Sequence, residues 1–255
     1  MKIHLLSRVR NEADIITDSV NHWREFTTGK LVIYDDCSTD QTPDILGRIE
    51  GVDLIRGTHH HKDRDFANYW CREQALKEIR KVAAPGDWVV CADADERIEF
   101  DWQSLATLPK HINAIAIRLF DYYITPEDAG KGWKARTWIG PEYRDIVMIW
   151  RHHPSIKYDQ PSQRIPTILD RREIQSGYCH HYGKARSVEA WETKCKYYQG
   201  HFSAQPLMQS KWKHREGKAI KADYRSDFKY PLIKWSERSE KGIPLTAEVH
   251  KREFA

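Results

Sequence analysis

Asp93, Asp95 and Glu96 follow directly on an apolar run, Trp88-Val89-Val90-Cys91-Ala92. A strand that carries carboxylates to its C-terminal end delivers them to the edge where open α/β sheets bind ligands. Asp93 and Asp95 are two residues apart, so on a regular strand both face one side. Two carboxylates held together there repel unless a cation sits between them. Hard divalent ions such as Mg²⁺ or Mn²⁺ take oxygen ligands of this kind, often shared with substrate phosphates. The spacing therefore points to a metal–diphosphate site. The competing reading is a strand end followed by a solvated acidic turn, and Asp-x-Asp on its own favours that reading.

The elements that must position these residues raise the first reading. Ile3 to Ser7 suits a first strand, and Asp14 to Phe26 has helical spacing with Ile15, Ile16, Val20, Trp23 and Phe26 near one face. Gly29 is expected to end that helix. Leu31-Val32-Ile33-Tyr34 is a second strand, and it too ends in acids, Asp35-Asp36-Cys37-Ser38-Thr39-Asp40. Ser38, Thr39 or Asp40 can cap the next helix. A third strand, Val52 to Ile55, a helix from Phe66 to Val82, and the Pro85-Gly86 turn lead into the strand that carries Asp93. This alternation predicts an α/β fold with a largely parallel sheet flanked by helices. In such a sheet both acidic ends lie on one edge. Further on, Ala114 to Phe120, Asp145 to Trp150 and Gly177 to Gly183 are strand-like, and Val188 to Tyr198 is helical.

At 255 residues the chain makes one large domain, or one domain with an appendage. Charge is unevenly spread. From Thr193 onward 14 Lys and Arg stand against 7 Asp and Glu, while the remainder has 27 against 30. A basic tail rich in Trp and Tyr suggests an anionic partner, against the alternative of a solvated helical face. The five cysteines form no Cys-x-x-Cys pair, which reads as reduced thiols in a cytoplasmic protein. No apolar run approaches the ~20 residues of a membrane span. His59-His60-His61 reads as an exposed loop, since three consecutive residues cannot point one way.

Taken in order, Arg10-Asn11-Glu12, Tyr34-Asp35-Asp36-Cys37-Ser38-Thr39-Asp40, Gly86-Asp87-Trp88 with Asp93-Ala94-Asp95-Glu96, and His181-Tyr182-Gly183 with Lys194 resemble the family 2-like glycosyltransferases of the GT-A fold. The likeness spans residues 1–200. It implies a nucleotide-sugar-binding half over 1–110 and an acceptor-side half over 111–200; residues 201–255 lie outside the likeness and read as a basic, aromatic C-terminal helical appendage. It further implies that Arg8, Asn11 and Glu12 line the nucleotide pocket and that Asp36, or Asp35, accepts hydrogen bonds from the base. Asp93 would lie near the ribose or the metal. Asp95 and His181 would ligate Mn²⁺ or Mg²⁺ on the diphosphate of a nucleotide sugar, with UDP favoured. Lys184, Arg186 and Lys194 are the cations placed to neutralise the leaving group.

One departure stands out. Where an inverting member would carry a basic Glu near position 164, this chain has Gln163-Arg164. The remaining candidates for a catalytic base are Glu142, Asp145 and Asp159, or Glu96 beside the metal site, with Asp95 catalytic as the metal ligand; a retaining enzyme would need no such base. The implied activity is transfer of a sugar to an acceptor hydroxyl on a saccharide or cell-envelope glycan. An alternative acceptor is a hydroxymethylated base in DNA, which the basic, aromatic tail would contact. Two other classes compete. A nucleotidyltransferase would carry a Gly-rich loop after the first strand, and Ser7-Arg8-Val9-Arg10-Asn11 has none. A non-catalytic nucleic-acid or glycan binder would keep the fold without the chemistry.

Overall fold

The computed structural model describes residues 1–59, 64–160, 164–202, 205–238 and 242–246. Two compact units are formed, Met1–Ile117 with Ile146–Gly177, and Arg118–Asp145 with Tyr178–Ala255.

In the first unit β1 (Ile3–Val9), α1 (Ile16–Arg24), β2 (Leu31–Asp35), α2 (Thr42–Leu46), β3 (Val52–Arg56), α3 (Arg64–Arg80) and β4 (Trp88–Cys91) alternate as expected. The strands stand in the order β3-β2-β1-β4, and all three pairings are parallel. This is the expected α/β class, a Rossmann-like sheet with flanking helices. Beyond β4 the sheet continues with β7 (Trp138–Arg151), whose end runs antiparallel through Trp88↔Arg151 and Val90↔Ile149. All five residues of β2 are buried, as in a strand covered on both faces. α3 packs Ala75, Leu76 and Ile79 against Leu6, Val32, Val89 and Trp150.

Three local details differ from expectation. Helix α1 stops at Arg24, where the bonding tightens to Glu25 N→His22 O and Phe26 N→Trp23 O, and the Thr27 hydroxyl also donates to Trp23 O. Gly29 does not cap that helix but makes room for a side chain, since a Cβ there would lie 2.4 Å from His4 Nδ1. The His4 ring is fixed, because Nδ1 accepts from Lys30 N and Nε2 meets Asp87 Oδ2 at 3.3 Å. Residues 96–99 form a short strand, β5 (Glu96–Glu99), which the apolar pattern does not announce.

β6 (Ala114–Tyr122), β7 and β8 (Glu173–His181) each pass from one unit into the other. The second unit adds α4 (Val188–His201), α5 (Pro206–Arg215), β9 (Ile233–Lys234) and β10 (Ile243–Pro244). Its core gathers Phe120, Tyr122, Ile139, Tyr182, Trp191 and Trp212. Within it, β9 runs antiparallel and β10 parallel to β7. Among the described residues no helix is long and apolar enough to cross a membrane.

Candidate functional site

Parallel pairing brings the ends of β1, β2 and β4 to one edge of the first unit. Val9 pairs with Asp35, and Leu6 with Cys91. The loops beyond them carry the acidic residues. Asn11 and Cys37 both adopt positive φ, 55° and 54°, a conformation uncommon outside glycine. It lets the two loops clasp each other. Asn11 N donates to Ser38 Oγ at 2.9 Å, and Asn11 Oδ1 accepts from Thr39 N at 2.7 Å. Glu12 N donates to Thr42 Oγ1, and Asp40 accepts from Ala13 N and Thr42 N. The capping expected of Ser38, Thr39 or Asp40 is not made: Gln41 holds the N-cap position of α2 without a side-chain bond, and Asp40 instead ties the two loops together.

Asp36 is buried and accepts from Arg8 Nη2 at 2.5 Å. Arg8 also donates to Asn68 Oδ1. Burial works against the Arg8 charge, but Asp36 outweighs it and raises the guanidinium pKa. Asp35 differs. Its Oδ2 accepts from Ser38 N, while its Oδ1 is buried without a hydrogen-bond partner among the described residues. Arg8 Nε is likewise a buried donor without one.

Strand β4 ends at Cys91, two residues short of Asp93. Asp93 to Glu96 is a turn closed by Glu96 N donating to Asp93 O. Asp93 and Asp95 therefore do not share a strand face as their spacing suggested. The turn is braced from behind. Ser19 Oγ and Arg97 Nη1 both donate to Ala94 O, and Arg97 also grips Asp18. Asp95 is buried within the turn.

The acids of this turn meet arginines. Arg72 Nη2 donates to Asp93 Oδ1 at 3.0 Å, and Arg164 Nη1 donates to Asp93 Oδ2. Arg164 Nη2 donates to Glu96 Oε2 at 2.6 Å, and that oxygen also accepts from Asp93 N. Burial pushes the Asp93 carboxyl up, but Arg164 and Arg72 outweigh it and hold it well below the usual range. For Arg164 the balance mirrors this: burial opposes its charge, and Asp93 with Glu96 raises its pKa well above normal. Its Nε is buried without a partner among the described residues.

Neither arginine was singled out from the sequence as a site residue, yet both left a trace. Arg72 stands three, four and seven residues before Ala75, Leu76 and Ile79, on the helix face those residues bury. A charge in an apolar stripe needs a buried partner. Arg164 stands where the family likeness called for a glutamate.

The residues as they stand do not fit the expected divalent ion. Both oxygens of Asp93 carry guanidinium bonds. Among the described residues no group of three or more His, Cys, Asp or Glu is gathered to hold a metal. Asp93 and Asp95 belong to the first unit and His181 to the second.

In the second unit His181 Nδ1 bonds Asp121, which also receives Arg144 Nη2 at 2.7 Å and Lys184 Nζ at 3.1 Å. Lys184 reaches Asp227 Oδ2 at 2.9 Å and donates to Tyr123 OH at 3.0 Å. Lys194 donates to Gly183 O, and Arg186 is half-buried.

The candidate bases separate by environment. Asp145 is held bidentately by Arg118. Asp159 accepts from Thr167 Oγ1 and pairs with Lys157, which lower its pKa. Glu142 is buried, and burial raises its pKa. Gln163, His60 and His61 lie outside the described residues. His59 is exposed, with its Nδ1 3.0 Å from Thr58 Oγ1.

No protein-family model matches the chain, and no curated protein matches it. Solved structures of similar fold include residues 1–349 of TarS from S. aureus in complex with UDP. It has 15% identity and a TM-score of 0.39, over 84% of this chain and 71% of that one. Of the longer S. aureus TarS structure this chain covers 44%. HddC from Yersinia pseudotuberculosis has 10% identity and a TM-score of 0.37, over 77% of this chain and 99% of that one. LicC, a CTP:phosphocholine cytidylyltransferase from Streptococcus pneumoniae, has 11% identity and a TM-score of 0.32, over 59% and 67%. Likenesses this distant carry no argument about activity.

Proposed function

We propose that the chain is a glycosyltransferase that binds a nucleoside diphosphate sugar at the edge formed by β1, β2 and β4. The observation that carries this reading is the buried, unpartnered Oδ1 of Asp35 beside the Arg8–Asp36 pair. A carboxylate oxygen buried without a donor is costly unless a ligand supplies one. The imino N–H of uracil is such a donor, which favours UDP as the nucleotide. Arg8 and Arg164 each keep a buried Nε donor without a partner among the described residues, as groups poised for phosphate would.

In the transfer, an acceptor hydroxyl oxygen bonds to the anomeric carbon while the bond from that carbon to the phosphate oxygen breaks. The nucleoside diphosphate leaves with the electron pair, and the hydroxyl proton passes to a base. Guanidinium groups fixed before reaction stabilise the charge on the departing phosphate without reorganising. A saccharide hydroxyl is the acceptor this reading favours.

The test is a panel of nucleotide sugars incubated with the protein, in Mn²⁺ and in EDTA, while nucleoside diphosphate release is followed. Release from one UDP-sugar supports the reading. In a parallel panel of nucleoside triphosphates with sugar 1-phosphates, release of pyrophosphate instead would establish nucleotidyl transfer and overturn it. Asp35→Asn should weaken UDP binding by about tenfold, the loss of roughly one charged hydrogen bond.

A further inference from the structure

In the second unit the end of α5 and the segment after it line an open cavity of roughly 350 Å³. That is the size range of small-molecule sites. Its wall carries Arg215, Lys218, Lys221, Arg225, Lys229 and His214 against two carboxylates, Asp223 and Asp227.

The cations at its base are fixed in place. Asp227 is buried and receives Lys221 Nζ at 2.6 Å and Arg215 Nη2 at 3.0 Å, besides Lys184. Three cations on one carboxylate leave the cluster with surplus positive charge. Lys218, Arg225 and Lys229 at the rim are exposed. Lys211 stands one helical turn before Arg215 on α5. Burial, then Arg215 and Lys184, lowers its pKa to about 8.

The loop is held in a strained form. Tyr224 and Lys229 adopt positive φ, 51° and 68°. Ser226 N donates to Tyr230 O, Leu232 N to Tyr224 O, and Arg225 Nη1 to Lys229 O. Non-glycine residues in this conformation cost free energy and persist where the surroundings dictate them, often at binding sites. The described wall contains no Phe, Tyr or Trp; its one ring is the His214 imidazole, taken up by Lys218 Nζ 3.0 Å from its Nε2, and Ile220 and Ala222 are its apolar members. It therefore lacks the platform on which a nucleic acid base would stack.

We propose that this cavity binds a phosphate ester on a carrier without aromatic rings, a sugar phosphate or a phosphorylated aliphatic alcohol. Arg215 and Lys221 at its base and Lys218, Arg225 and Lys229 at its rim contact the phosphate. The proposal does not rest on the glycosyl-transfer reading, since every residue in it belongs to the second unit.

The test titrates glycerol 3-phosphate, with glycerol as control, into the full chain and into Lys218→Glu/Lys229→Glu and Asp35→Asn. The expected result is binding of the phosphate ester and not of glycerol. The double variant should weaken it by on the order of tenfold or more, with an unchanged thermal midpoint. Asp35→Asn, which addresses the donor reading alone, should leave it unchanged. If the double variant misfolds, Lys218→Gln is read the same way with a smaller loss. No binding to the native chain, or binding indifferent to the charge changes, overturns the proposal. A short oligothymidylate that binds more tightly at the same residues overturns the choice of carrier and makes this a nucleic-acid site.

Discussion

The guanidinium of Arg164 lies against Glu96, Nη2 to Oε2 at 2.6 Å, while its other terminal nitrogen bonds Asp93. One side chain thus binds the two carboxylates that frame the turn after β4. Removing it leaves both short of a partner inside the protein. Arg164→Ala should cost about 1–2 kcal/mol of stability, a partly solvent-screened loss of hydrogen bonds to charged groups. It should also open Asp93 and Glu96 to divalent cations. Mn²⁺ should then raise the thermal midpoint of Arg164→Ala and leave that of the native chain unchanged. An equal rise in both would show that the arginines do not exclude the ion.

Acid should loosen the same turn. The folded-state pKa of Asp93 is depressed from its ordinary 3.8 by Arg164 and Arg72, against the opposing effect of burial. Its stabilising contribution is therefore present above 3.8 and lost as pH falls toward the folded value. Asp93→Asn should lower stability at neutral pH and flatten the acid limb of the unfolding curve. Urea titrations at a series of pH values measure both.

Glu142 should show the opposite sign. Burial raises its pKa above the ordinary 4.5. Its neutral form suits the folded chain, so its favourable contribution is present below 4.5 and lost as pH rises through the folded value. Glu142→Gln should remove that decline, giving a thermal midpoint less dependent on pH above 4.5. A steeper dependence in the variant would contradict the burial argument.

Gly29 should tolerate no side chain. Its backbone leaves a Cβ only 2.4 Å from the His4 ring, and that ring is tied to Lys30 and Asp87. Gly29→Ala should destabilise by about 2 kcal/mol through overpacking, measured by urea unfolding. Gly86, whose Cβ would meet nothing within 4 Å, also has φ 91°. Gly86→Ala would therefore test backbone strain and not crowding.

The alternation of strands and helices over the first hundred residues was legible because parallel strands buried on both faces read as unbroken apolar runs. Leu31 to Tyr34 and Trp88 to Cys91 are such runs. The acidic ends were legible for the same reason, as polarity changes abruptly where a buried strand leaves the sheet. Their partners were not. Arg72 and Arg164 approach Asp93 from 21 and 71 residues away, and no local period records such a meeting. Extrapolating the strand through Asp93 and Asp95 failed because a turn redirects the chain after Cys91. Long β7 was underestimated because Gly140 and Pro141 interrupt its pattern near one end.

The path of the chain has a consequence for anyone who would dissect it. It passes between the two units at residues 117/118, 145/146 and 177/178. Neither unit is a continuous stretch, so no single cut isolates either. A fragment ending at Ile117 would keep Asp93 and Glu96 but discard Arg164, stranding the acids without that counter-charge. Such a piece should aggregate or stay unfolded when expressed, whereas point substitutions in the intact chain report on each unit separately.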